Sequence, residues 1–241
     1  MLRTTLPLAA VALALATLAH AAMPEPQANL RYQLGLLSRG PTWTAEKSAH
    51  TDSIQAGHLA NIGRMAAAGA LVAAGPFEDG GDLSGLFVFA PDADSLAGQL
   101  AGDPAIASGR LECRLFTWVA PPGLGEEYRQ RKRENPGARD SMVTFGWVMI
   151  CRGAKYDSRP TPAVEKLIRE HFDYTEKLRA SGTLVYAGAI EGTGDLRGVL
   201  VMQGDSAAIA RAMKEDPAVR AGRFASSTLR WWTAWGTIPG H

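Results

Sequence analysis

Residues 69–90, GALVAAGPFEDGGDLSGLFVFA, return at 182–203 as GTLVYAGAIEGTGDLRGVLVMQ, and that recurrence decides how the chain is organised. Displacing the sequence by 113 residues carries His58 onto His171 and Trp118 onto Trp231 without a gap. About a third of the intervening positions are identical, against roughly one in fifteen expected from ordinary composition. The matched pairs include Gly75 with Gly188, Glu78 with Glu191, Asp82 with Asp195, Gly85 with Gly198, Asp103-Pro104 with Asp216-Pro217, and Gly109 with Gly222. Such a period is too long for a solenoid unit and suits a small complete domain present twice.

Working outward, each copy reads in the same order. Leu30 to Leu37 and Met142 to Cys151 are apolar and aromatic runs of strand length. In the second copy Thr161 can cap a helix and Pro162 can take its first position, after which Val164, Leu167, Ile168, His171, Phe172, Thr175 and Leu178 fall at helical spacing. The first copy shows the stripe Ile54, His58, Ile62, Met65, and both helices end at a glycine, Gly69 or Gly182. Two strands follow, then a helix over about Asp94 to Ala101 or Ser206 to Lys214. Asp103-Pro104 and Asp216-Pro217 are placed to cap a further short turn before the closing strand. The order strand, helix, strand, strand, helix, strand predicts an α+β fold of two ferredoxin-like βαββαβ repeats, residues 29–119 and 142–236. Each repeat leaves one sheet face bare. Packing the two sheets together covers both faces and makes the chain its own pseudo-dimer, a dimeric α/β-barrel within one polypeptide. Residues 120–141, rich in mixed charge from Glu126 to Glu134, are expected to be a solvated linker.

The remaining features bound the function. The chain has 241 residues, 46% hydrophobic and 20% charged, with a formal net charge of +1, which excludes a disordered chain and gives no electrostatic reason to expect nucleic acid. Arg3, the apolar run Leu6 to Ala19 and the small-x-small triplet Ala19-His20-Ala21 predict a signal peptide over residues 1–21. Export to the periplasm follows from that reading, with no stable membrane insertion after cleavage. Cys113 and Cys151 could pair in an oxidising compartment or remain two inert thiols. No C-x-x-C or His/Cys cluster points to a metal, and G-x-S-x-G, H-E-x-x-H and Walker patterns are absent from the sequence.

The helical histidine, the strand leading into Gly75-Pro76-Phe77-Glu78-Asp79-Gly80, and Asp103-Pro104 with Gly109 before a closing strand together resemble the YCII-related family. The resemblance covers both repeats. It implies a dimeric α/β barrel and, carried over by motif position, a histidine and aspartate in each copy, His58 with Asp103 and His171 with Asp216. Relatives on the same barrel include isomerases and dehydrochlorinases that move protons or expel halide. The second copy departs at Gly188-Ala189-Ile190-Glu191, where Pro-Phe is missing, so His58 is expected to matter more than His171.

Read from the residues alone, each histidine sits on an apolar helical stripe, where it either completes the core or acts as a proton-transfer group oriented by a carboxylate. The aspartates are helix caps that could also face a site. Glu78, Asp82, Glu191 and Asp195 lie in the glycine-rich connections between the middle strands, either solvated or in contact with a substrate. Trp43, in the first strand-to-helix loop, is placed to close over an aromatic ligand. The expected function is an exported protein with a small-molecule site of lyase, isomerase or hydrolase type. Its rival is a non-catalytic ligand-binding or structural module. No cofactor is expected, and haem binding through one histidine is the weakest reading.

Overall fold

Strand β1 (Leu30–Arg39) shows why the sheet needs cover on both faces. Tyr32, Leu34 and Leu36 point into one apolar cluster, while Leu37, on the opposite side of the pleat, joins another. The computed structural model describes residues 28–91, 93 and 96–241, so the leader expected over 1–21 lies outside the described residues. After β1 come α1 (Ala49–Ala67), β2 (Leu71–Pro76), β3 (Leu83–Phe89), α2 (Leu96–Ala101), α3 (Pro104–Ala107) and β4 (Leu111–Ala120). A connecting helix α4 (Glu126–Glu134) precedes β5 (Met142–Arg152), α5 (Pro162–Ala180), β6 (Leu184–Ile190), β7 (Leu196–Met202), α6 (Ser206–Glu215), α7 (Pro217–Arg220) and β8 (Phe224–Ala234). The expected order is therefore present in each half.

The eight strands form one antiparallel sheet in the order β2-β3-β1-β4-β6-β7-β5-β8. Two seams join the halves. At the first, Trp118 pairs with Ile190 and Val119 with Ala189. At the second, Phe77 bridges Trp231, the Glu78 N–H donates to the Arg230 carbonyl at 2.8 Å, and the Thr233 hydroxyl donates to the Ala74 carbonyl at 2.9 Å. The sheet thus closes on itself, and the displacement of 113 residues that relates the sequences also relates the seams.

Two matched glycines make this closure feasible. A Cβ on Gly75 would stand 2.0 Å from the Trp232 carbonyl oxygen, and one on Gly188 would stand 2.4 Å from Trp118 Nε1 and 2.6 Å from the Val119 carbonyl oxygen. Inside the ring, Trp118, Trp147 and Trp231 are fully buried and meet edge to face, with centroids 5.6 and 5.2 Å apart. Helices α1 and α5 cover the outer face.

The linker differs from its expected character. Leu124 is buried within the barrel cluster, and so is Ile238 from the segment after β8. The Gly125 N–H donates to the Thr237 carbonyl and the Tyr128 N–H to that of Gly236, which ties linker and tail together. Composition misreads this stretch because the charged face of α4 outnumbers the one leucine that anchors it. The cysteines pack on opposite sides of the sheet, Cys151 against the barrel interior and Cys113 against the cluster under α1, and both are free thiols.

Candidate functional site

Helix α1 begins where the Ser48 side chain accepts the Thr51 N–H and the Thr51 side chain returns the contact, a capping box. Its buried face is His58, Asn61 and Met65. Across from it the four-residue α3 starts at Asp103, whose Oδ1 accepts the N–H groups of Ala105 at 3.0 Å and Ile106 at 3.3 Å. That cap turns the remaining carboxylate edge toward α1. His58 Nδ1 lies 3.0 and 2.9 Å from the two carboxylate oxygens, and Asn61 Nδ2 donates to Oδ2 at 2.9 Å. Asp103 is fully buried. Burial alone would raise its pKa, but hydrogen bonds from His58 and Asn61, the His58 charge and the Ile106 N–H outweigh it and hold the carboxyl below its ordinary range.

The second half repeats the device with fewer partners. Asp216 caps α7 through the N–H groups of Ala218 at 2.8 Å and Val219 at 3.3 Å, and its Oδ2 sits 2.6 Å from His171 Nδ1. Tyr174 occupies the place of Asn61 and donates its hydroxyl to the Ala212 carbonyl at 2.7 Å instead. Asp103 is therefore held by one more side chain than Asp216.

A carboxylate on Nδ1 selects the neutral tautomer with its proton there and leaves Nε2 as the acceptor. Neither Nε2 has a hydrogen-bond partner among the described residues, and neither is among the buried polar atoms left unpaired, so the 10% of each imidazole side chain that is exposed includes Nε2. The rings are fixed by aromatic contacts, His58 stacked on Phe87 at 5.8 Å and His171 edge-on to Phe224 at 5.4 Å. Beside each histidine an apolar side chain faces solvent, Leu59 at 57% and Phe172 at 61% exposure. Near the first pair, burial and then the Asp103 charge push the Cys113 thiol up to about 11, so it is protonated at neutral pH.

The structure brings His58 to Asp103 and His171 to Asp216, and it gives the other expected site residues different partners. Glu78 pairs with Arg230 at 2.9 Å across one seam and Glu191 with Arg31 across the other. Asp82 lies 3.6 Å from Arg39, whose guanidinium stacks on Trp43 at 3.9 Å. Asp195 is exposed, and its carbonyl accepts the Arg152 N–H. Phe77 is buried in the seam, its ring centroid 6.4 Å from that of Trp147. The stronger asymmetry between the sites is Asn61 against Tyr174. Sequence reading missed it because Asn61 has no polar counterpart of its kind at the matched position. Among the described residues no group of three His, Cys, Asp or Glu side chains could hold a metal ion.

Against this geometry, the sequence model of the YCII-related domain matches residues 147–233. This stretch is a YCII-related domain. It contains His171, Asp216 and the whole of α5 to α7. No curated protein is significantly similar in sequence. Solved structures with the same fold include a chlorite dismutase variant from Candidatus Nitrospira defluvii, at 15% identity and TM-score 0.54, over 86% of this chain and 92% of that one. A putative chlorite dismutase aligns at 13% identity and TM-score 0.52, over 85% and 94% of the two chains. A novel heme-binding protein from Thermus thermophilus aligns at 17% identity and TM-score 0.51, over 85% and 91%. The fold is accordingly the ferredoxin-like α/β barrel, with the YCII-related domain as its second half.

Proposed function

We propose that the chain is a tandem YCII-related protein with a small-molecule site at each His–Asp pair, where the imidazole accepts and returns a proton. The observation that carries this reading is the same arrangement built twice: a buried aspartate on Nδ1 and an Nε2 that keeps access to solvent. The aspartate orients the ring and stabilises the imidazolium formed when Nε2 takes a proton from carbon, oxygen or water. Lyase, isomerase and hydrolase chemistry all use that step. Export, expected from residues 1–21, belongs to the same reading.

Two measurements test it. Side-chain 15N spectra at neutral pH are expected to show Nδ1–H tautomers for His58 and His171; Nε2–H tautomers would overturn the base assignment. In a screen of small carbon acids, esters and lactones, His58→Ala is expected to reduce turnover by about 100-fold or more with the circular dichroism spectrum retained. Full turnover in that variant returns the pair to a structural role. The small exposure of both rings favours, as the second reading, a module that binds a ligand without transforming it. Ligand binding with no reaction across the screen would select it.

The same residues bear on haem. An imidazole held by a carboxylate is a suitable axial donor. A porphyrin also needs a broad open face at Nε2, whereas only 10% of each imidazole side chain is exposed. The Phe172 and Phe224 rings stand 5.5 and 5.4 Å from the His171 ring, and the cavities of about 350 and 240 Å³ elsewhere on the surface touch neither histidine. The residues present do not fit the group.

A further inference from the structure

Between α1 and α2 lies a cavity of about 350 Å³, within the size range of small-ligand sites. Its walls include Asn61, Arg64, Met65, Ala68, Gly98 and Gly102. Arg64 is the one charged side chain lining it among the described residues. No carboxylate pairs with that guanidinium among the described residues; it donates to Asn61 Oδ1 at 2.5 Å. Asn61 in turn donates to Asp103, and Asp103 holds His58. A continuous chain of hydrogen bonds thus runs from the cavity wall to the imidazole.

The matched place in the second half carries larger side chains. Tyr174 stands for Asn61, Arg211 for Gly98 and Glu215 for Gly102. The Tyr174 ring spans the gap to the Ala212 carbonyl, and the Glu215 charge is close enough to raise the phenol pKa after the larger effect of burial. Tyr174 therefore spans in the second half the place that Asn61 leaves open beside Gly98 and Gly102 in the first, while Arg211 and Glu215 are exposed.

We propose that this cavity is a second ligand site, for a small monocarboxylate with an apolar body, and that its occupancy is felt at His58. The carboxylate pairs with Arg64, and the apolar part lies against Met65, Ala68 and the glycines. Drawing Arg64 away from Asn61 Oδ1 leaves the amide less polarised and its Nδ2 a weaker donor to Asp103. The ligand also adds a negative charge. Both changes leave more negative charge to be answered by His58, so the two effects act in the same direction. The proposal stands independently of any catalytic role, because its readout is the state of the imidazole and not turnover.

Benzoate is a suitable probe. Added to the full chain in the millimolar range, it is expected to move the amide signals of α1 and α2 and the imidazole signals of His58 in NMR spectra, with saturation. The His171 ring, which has no such chain of bonds behind it, is expected to stay still and serves as an internal control. Arg64→Gln is expected to weaken benzoate binding by about tenfold or more, since it removes a charge-assisted contact of roughly 1.5–3 kcal/mol. Unmoved signals at saturating benzoate would overturn the site. Movement in α1 and α2 with His58 unchanged would overturn the coupling. A His58 response that survives Arg64→Gln would place benzoate on the imidazole itself and likewise overturn the proposal.

Discussion

Asp103 performs two tasks with one carboxylate. It starts α3 by accepting two backbone N–H groups, and it holds His58 and Asn61 on the buried face of α1. The capping task could be read from Asp-Pro in the sequence; the pairing with His58 came from the family resemblance, because 45 residues separate the two and no local pattern brings them together. Its folded pKa lies below the value of about 3.9 expected in the unfolded chain, so its stabilisation is complete above that pH and is lost as pH falls through the folded value. Asparagine is also a good cap, so Asp103→Asn keeps the oxygen that starts α3 while it removes the charge and the acceptor facing His58 and Asn61. Urea unfolding between about pH 2 and 6 is expected to show the wild type losing stability below about pH 4, with a shallower loss in Asp103→Asn. Parallel curves would show that the carboxylate is not bound as described.

Among elements, α1 and the linker contrast in what a sequence reveals. The α1 stripe was legible, although Ser48 as its cap was not singled out, because the apolar spacing alone leaves the first turn undefined. Asp94 and Ser95, where the next helix was expected to start, lie outside the described residues. Gly63 lies on the exposed side of α1, and a Cβ added there would meet nothing within 4 Å. Gly63→Ala is therefore expected to raise stability by about 0.4–1 kcal/mol, readable as a higher denaturation midpoint. The linker and tail behave oppositely. Leu124 and Ile238 are isolated apolar residues among glycines, prolines and charges, with no period to betray their burial. Ile238→Ala is expected to lower stability by about 2–4 kcal/mol in the same measurement, the loss typical of a core isoleucine. A neutral result would mean that the tail merely rests on the barrel.

For the whole molecule, the strand order and the closed α/β barrel were legible, because a unit with one bare sheet face has few ways to cover it. The seam contacts were not, since pairing across halves depends on where two curved edges meet. That is why Glu78 and Glu191 read as candidate ligand contacts while the structure gives them to Arg230 and Arg31. Gly75→Ala and Gly188→Ala each push a methyl group into backbone of the opposite half. Each is expected to destabilise the chain by about 1–3 kcal/mol, and a thermal scan showing no loss in either would place the closure elsewhere.

The two closures carry the same backbone bond: the Glu78 N–H donates to the Arg230 carbonyl at one seam and the Glu191 N–H to the Thr117 carbonyl at the other. A bracelet with two like clasps has no built-in hinge. Thermal breathing of this barrel is then expected at either seam, wetting Trp231 at one and Trp118 at the other.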